Sequence, residues 1–296
     1  MRDIREEAHS LAWHVRQNAR LKPEAPAFKE VDRFVSWAEY DLASDWVASR
    51  LIEAGFSRDD CVGVLLPDGA LYHIVLLGIE KAGLIALGLG ARAGQREIVH
   101  LMGKAQATGL ICHERHRDRS YEQLVEALGL SQSSHDAVLL VPEDLGSIME
   151  QARSTSIDHS LIEGRWRQLD EIFLLNSTSG TTGMPKCVAH DQMRWLYFHE
   201  LARVGARLTN QDVFMACAPM PFGFGLWTSH ITPALLGAPC IKLPHFTARD
   251  AMALIDRHQV TVLAAVSTQF MMILNGAEAF RLDSLRILYT GGEAVP

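Results

Sequence analysis

Cysteine is scarce and scattered in this chain of 296 residues. Cys61, Cys112, Cys187, Cys217 and Cys240 are the five, and no two form a Cys-x-x-Cys pair. The spacing therefore suggests neither a zinc site nor a redox motif. Most fall in apolar runs, where free cysteine packs as a small hydrophobe, as suits a reducing cytosol. Positive charge is also in short supply: 28 Lys and Arg face 35 Asp and Glu, a net charge of -7. That balance argues against general nucleic-acid binding. The one basic cluster, His113 to Arg119, contains Glu114 and Asp118 and reads as a solvated corner. Long apolar runs are missing. The most apolar stretch, Leu71 to Leu89, is broken by His73, Glu80 and Lys81 and makes a poor membrane span. Residues 1–20 mix Asp, Glu and Arg without an apolar core, so no signal peptide is expected and a cytoplasmic location is. No Gly-x-Ser-x-Gly elbow occurs, and His113-Glu-Arg-His116 has the wrong spacing for a zinc protease.

What remains is a globular composition, 48% hydrophobic and 21% charged. The length exceeds one ordinary core, so two lobes are expected. Short apolar, β-branched runs alternate with helical patterns. Cys61–Leu66, Leu84–Leu89, Gly109–Cys112 and Ala137–Val141 read as strands, with helices between them. The strands lack polar alternation, which suggests burial on both faces. The predicted class is α/β, with two doubly wound, mostly parallel sheets sandwiched by helices. A polar stretch, Pro142–Gln168, reads as the connection between a lobe at 1–168 and a second at 169–296. In the second lobe Glu171–Asn176, Val213–Ala218, Pro239–Leu243, Val260–Val266 and Leu285–Tyr289 read as strands, and Asp191–Arg207 and Leu226–Leu236 as helices.

Chemistry concentrates in three segments at the carboxyl ends of strands, where open parallel sheets bind ligands. The first is Phe173-Leu-Leu-Asn-Ser-Thr-Ser-Gly-Thr-Thr-Gly-Met-Pro-Lys-Cys-Val-Ala-His190. Gly180 and Gly183 let backbone N–H groups approach a ligand. Ser177, Thr178, Ser179, Thr181 and Thr182 supply five hydroxyls, and Lys186 a point charge. This suits a phosphate-binding loop. It is not a Walker loop, since Lys186 follows Pro185 and no Ser or Thr comes next. The second segment is Ala218-Pro-Met-Pro-Phe-Gly-Phe-Gly-Leu-Trp227, and the third Leu288-Tyr-Thr-Gly-Gly-Glu-Ala-Val-Pro296. In the third, two adjacent glycines leave the backbone without side chains, and alone they read as a plain turn.

The first segment resembles the signature loop of the adenylate-forming superfamily of acyl- and aryl-CoA ligases, luciferases and nonribosomal adenylation domains. That loop reads Thr/Ser-Ser-Gly-Thr-Thr-Gly-x-Pro-Lys-Gly. The match runs from Thr178 to Lys186 and departs at Cys187, where the family has glycine. The third segment resembles the family's Gly-Gly-Glu turn, and the second its acyl-pocket segment, with Phe222 at the usual histidine. The resemblance implies that Thr178, Ser179, Gly180, Thr181, Thr182, Gly183 and Lys186 contact the ATP phosphates. It implies Gly291, Gly292 and Glu293 at adenine, and Phe222, Gly223, Phe224 and Gly225 at the acyl group. ATP, Mg2+ and coenzyme A are the implied cofactors, and no metal ligand or coenzyme A site is identifiable in the chain. Relatives that activate amino acids place an aspartate in the second segment. None lies between Cys217 and His245; an unpaired ammonium there would be costly, so the expected substrate is a carboxylic acid without an α-amino group.

The resemblance covers nearly all of this chain but only about the first half of a family member. The family's Tyr-Gly-x-Thr-Glu motif, ribose-binding aspartate and C-terminal domain with its lysine are not found in these 296 residues. The expectation is therefore an N-terminal fragment of a carboxylic acid–CoA ligase, truncated and inactive alone, whose partner is the missing C-terminal half. Two alternatives stay open: a non-catalytic nucleotide- or partner-binding remnant, and a P-loop-like NTPase.

Overall fold

The computed structural model describes residues 8–117, 119–130, 138–178, 183–276 and 279–292. Its strands, in chain order, are β1 (Pro26–Lys29), β2 (Phe34–Ser36), β3 (Cys61–Leu65), β4 (Ile85–Gly88), β5 (Gly109–Cys112), β6 (Arg115–His116), β7 (Arg119–Ser120), β8 (Val138–Leu140), β9 (Ile172–Thr178), β10 (Lys186–Asp191), β11 (Phe214–Ala216), β12 (Cys240–Ile241), β13 (Val262–Ala264) and β14 (Ile287–Tyr289). Two compact units emerge. One comprises Met1–Ala38, Asp68–Ala70 and Arg194–Pro296, the other Glu39–Pro67 and Leu71–Met193. These bounds differ from the expected 1–168 and 169–296. Strands β1 and β2 belong to the sheet of the late strands, while β9 and β10 complete the sheet of the early ones.

In the unit of residues 39–67 and 71–193, the sheet order is β10-β9-β4-β3-β5-β8. All pairs are parallel except β9 with β10. Strand β3 is buried along its whole length, as a strand covered by helices on both faces must be. Ile98, Leu101 and Met102 of the helix Gln95–Lys104 pack on Leu65, Leu87, Leu89 and Leu110. The expected linker is built into this unit. Asp144 caps a helix at Leu145–Ser154 and Asp158 caps another at His159–Glu163, each offering its carboxylate to first-turn N–H groups. Arg153 pairs with Glu39 at 2.8 Å, and His159 Nδ1 lies 2.8 Å from Asp45 Oδ2. Arg167, almost wholly buried, donates to Gly83 O and pairs with Asp59. Polar composition suggested a linker; the two Asp caps were the overlooked signal.

In the other unit the order is β14-β13-β11-β12-β1-β2, parallel except at β1–β2. Its core gathers Met215, Ile241, Leu263 and Ile255. Ser10 caps the first helix, Leu11–Leu21, by accepting from Trp13 N at 3.3 Å. The helix expected at Leu226–Leu236 is a π-helical stretch, Leu226–Ile231, followed by an α-helical turn, Thr232–Leu236. Thr228 Oγ1 and Ser229 Oγ donate to the carbonyls of Phe224 and Gly225 at 2.7 and 2.6 Å, giving those carbonyls partners while the helical register widens.

Candidate functional site

Each of the three segments can be followed within its own unit. The hydroxyl-rich segment bridges two antiparallel strands. Lys186 pairs with Thr178 and Cys187 with Ser177 across the ladder, so the segment joins the paired ends of β9 and β10. The sequence pattern had suggested a strand, a loop and then a helix from Asp191. Strand β10 went unrecognised because its residues alternate only weakly between exposed and buried. Ser179, Gly180, Thr181 and Thr182 lie outside the described residues, as do the side chain of Thr178 and all of Glu293.

The base of this hairpin is locked. His190 Nε2 donates to Asn176 Oδ1 at 2.9 Å, both residues being buried. His100, on the helix Gln95–Lys104, places Nε2 3.1 Å from Pro185 O. Cys187 packs against the unit's core. Burial raises its thiol pKa, and Lys104 opposes the shift only in part. Lys186 and Gly183 are exposed. An exposed cationic side chain thus stands at the start of β10, next in the chain to the hydroxyl-rich residues, and a cation so placed suits an anion.

In the other unit, the segment Ala218–Trp227 follows β11 and turns sharply. Cys217 N donates to Ala264 O at 2.7 Å, and Gln269 Nε2 donates to Cys217 O at 2.9 Å. Phe222 N closes on Pro219 O, and Leu226 N on Phe222 O at 2.8 Å. Gly225 has no room for a side chain: a Cβ there would sit 2.5 Å from Ala218 O and 2.6 Å from Pro219 O. Phe222 is exposed, while Phe224 and Trp227 are half-buried.

The fold brings this segment to the Gly-Gly turn. The rings of Phe224 and Trp227 are 6.5 Å apart, and Trp227 meets Tyr289 edge-on at 5.0 Å. A Cβ on Gly291 would be 3.8 Å from the Phe224 ring. Gly292 takes φ +83°, a backbone region open to glycine and costly for other residues. An aromatic wall therefore ends in a bare backbone turn, a surface on which a flat ring can lie.

One feature of this neighbourhood escaped the sequence reading. Asp68, 152 residues before Met220, accepts from Met220 N at 3.0 Å through Oδ2. Its Oδ1 lies 2.8 Å from Nζ of Lys242, a side chain with no exposure. Burial works against the lysine charge, but Asp68, with Cys240 and Glu30 adding to it, outweighs burial and keeps the Lys242 pKa above the usual range. The signal was the position of Asp68 just past β3, at a strand's carboxyl end. Burial pushes the Cys217 and Cys240 thiols up to about 12, so neither is poised as a nucleophile. Among the described residues no group of three His, Cys, Asp or Glu side chains is arranged to hold a metal ion, and no helix is long and apolar enough to cross a membrane.

Known proteins share this architecture. The apo structure of MbtA from Mycobacterium smegmatis superposes with a TM-score of 0.80 and 24% identity, covering 97% of this chain and 52% of that one. The o-succinylbenzoate CoA synthetase of Bacillus subtilis, solved with its acyl-adenylate intermediate, gives 0.80 and 22%, covering 95% and 68%. At such identities the likeness shows the fold. In sequence, the chain is 25% identical to the long-chain-fatty-acid–CoA ligase FadD13 of Mycobacterium tuberculosis, over 97% of this chain and 56% of the relative. It is 24% identical to the medium-chain fatty-acid–CoA ligase of Escherichia coli, over 97% and 52%. The chain thus spans about half the length of these ligases. Residues 15–296 match the AMP-binding enzyme family, and with this fold and this hairpin the chain belongs to that adenylate-forming family.

Proposed function

We propose that the chain is the N-terminal, nucleotide-binding portion of an ATP-dependent carboxylic acid–CoA ligase. The observation that carries this is the antiparallel pair β9–β10, which joins the hydroxyl-rich sequence Thr178–Thr182 to an exposed Lys186, in a chain matched over residues 15–296 by the family. CoA-ligase names among its relatives support it. The reaction joins a carboxylate oxygen to the α-phosphorus of ATP, and the bond from that phosphorus to the pyrophosphate oxygen breaks. Coenzyme A thiol then attacks the acyl carbonyl, AMP departs, and the thiol proton is released.

The first barrier is an anion approaching a polyanion, so preorganised donors and positive charge do most of the work. Thr178, Ser179, Gly180, Thr181, Thr182, Gly183 and Lys186 are assigned to the β- and γ-phosphates. Gly291, Gly292 and Glu293 are assigned to adenine, and Phe222, Gly223, Phe224 and Gly225 to the acyl group. No side chain is assigned to Mg2+, which commonly arrives bound to substrate phosphates with few protein ligands. No residue is assigned to coenzyme A. The acid carries no α-amino group. The segment Cys217–His245 has no carboxylate of its own, and the charge of Asp68 is already matched by Lys242. Because the chain spans about half of its relatives, turnover is assigned to the complete ligase and nucleotide binding to this chain.

Titration of the chain with Mg-ATP tests the reading. Saturable binding that weakens in Lys186→Ala is the expected result. Absence of binding, or binding indifferent to that substitution, overturns it. Release of inorganic phosphate from ATP without any acid would favour an NTPase instead.

A further inference from the structure

The geometry points to Asp68 as a positioning residue for the acyl-binding turn, held in place by Lys242. The inference rests on the assignment of Phe222–Gly225 to the acyl group. Residues 68–70 belong to the unit of the late strands and are pinned there twice. Ala70 N donates to Glu30 Oε1 at 2.9 Å, while Asp68 takes both Lys242 Nζ and Met220 N. Met220 stands two residues before Phe222, between the end of β11 and the tight contact of Gly225 with the carbonyls of Ala218 and Pro219. From Cys217 to Phe222 the backbone is held by Ala264 O, Gln269 and Asp68, together with the local Phe222–Pro219 bond. Gln269 holds Cys217, the first residue after β11, and Asp68 holds Met220, three residues further on.

The pair divides its labour by oxygen. Oδ1 faces the lysine and Oδ2 the amide. A buried carboxylate alone would take up a proton, lose half of its acceptor character and become free to turn. The Lys242 charge lies 2.8 Å from Oδ1 and compensates the buried carboxylate there, which leaves Oδ2 to accept from Met220 N. A buried ion pair adds little net stability over apolar residues of the same shape. Its retention here is explained by directing one hydrogen bond to one amide of a substrate-facing turn.

The test separates charge from direction. Removing one partner alone leaves a buried charge and is expected to unfold the unit, so both variants are charge-free. Asp68→Asn with Lys242→Met keeps an acceptor for Met220 N; Asp68→Leu with Lys242→Met removes it. Amide hydrogen exchange on the full chain, without ligand, is the first readout. In the Leu variant, exchange across residues 217–225 should accelerate at least tenfold while β11 and β13 keep wild-type protection. In the Asn variant both should stay near wild type. Unchanged exchange at 217–225 in the Leu variant, or acceleration spread evenly over the unit, overturns the inference.

The second readout is binding of AMP and of benzoyl-sulfamoyl adenosine. The Leu variant should bind AMP within twofold of wild type and lose about tenfold of the benzoyl compound's advantage. Retention of that advantage overturns the acyl-positioning role. Failure of the wild-type chain to bind either compound would instead defeat the proposed function, while the exchange data would still decide whether Asp68 anchors the turn.

Discussion

Arg286 forks onto Asp212: Nε donates to Oδ1 at 2.8 Å and Nη2 to Oδ2 at 2.5 Å. The same guanidinium donates to the carbonyls of Ala206 and Arg207, and Asp212 also accepts from Thr261 Oγ1 and Thr209 N. One ion pair thereby ties the loop before β11 to the start of β14, the strand that delivers the Gly291–Gly292 turn. Asp212 is buried and Arg286 partly exposed. Arg286→Ala should cost about 2 kcal/mol, the range for hydrogen bonds to charged groups, read as a shift of the urea midpoint.

The same carboxylate sets a pH limit. Burial by itself would raise the Asp212 pKa, but Arg286, Thr261 and the Thr209 amide outweigh it and hold the carboxyl below its ordinary range. A depressed folded-state pKa contributes stability that is present above the unfolded value, near 4, and is lost as pH falls through the folded one. Stability measured from pH 5 down to pH 2 should fall more steeply in wild type than in Asp212→Asn. Parallel acid limbs would show that other carboxylates govern the loss.

Lys186 offers a cleaner functional variant, because its side chain is exposed at the start of β10. Lys186→Ala should leave the melting temperature within about a degree, since exposed substitutions rarely change stability by more than ~0.5 kcal/mol. ATP affinity should drop roughly tenfold, about 1.4 kcal/mol, for a lost charged contact to phosphate. AMP, lacking the β- and γ-phosphates, should bind the variant and wild type alike. Equal weakening of both nucleotides would move the lysine away from the polyphosphate.

The outer frame was legible because it rests on local pattern. Unbroken apolar strands such as β3 announce burial on both faces, and the hydroxyl-glycine segment ahead of Lys186 carries a family signature in single residues. Pairings across long separations left no such mark. Nothing in Pro26–Lys29 says that it lies beside Cys240–Ile241, and nothing around Asp68 names Met220 or Lys242 as its partners. The π-helical register at Leu226–Ile231 was hidden for a related reason. Its side chains read as an ordinary helix, and the widened turn becomes visible only with its hydroxyls on the preceding carbonyls.

The two glycines of the aromatic wall should respond in opposite ways. In Gly225→Ala the new methyl meets backbone carbonyl oxygens at 2.5 and 2.6 Å. Backbone cannot swing aside, so a loss of roughly 2–3 kcal/mol is expected from overpacking. In Gly291→Ala the methyl meets only the Phe224 ring at an ordinary 3.8 Å. That variant should fold normally, and its methyl should weaken AMP binding several-fold by lifting the base from the turn. Normal AMP affinity in Gly291→Ala would remove the turn from the nucleotide site.

Cys187 stands where the family pattern has glycine, directly after the lysine. Its backbone pairs with Ser177 in the ladder, and its side chain packs on the core of its unit. The position is therefore a strand site with packing to lose, and no positive φ calls for glycine there. Cys187→Gly should cost about 1 kcal/mol through lost packing and greater unfolded-state freedom, with ATP affinity unchanged. The thiol should also be sluggish. Burial raises its pKa and Lys104 offsets this only partly, so at pH 8 its thiolate fraction lies below that of a free cysteine. Iodoacetamide should alkylate it in the native chain more slowly than it alkylates glutathione, with urea restoring the rate. Fast native labelling, or ATP binding that changes in the glycine variant, would mean that the stem of the hairpin opens in solution and that Cys187 takes part in what the loop does.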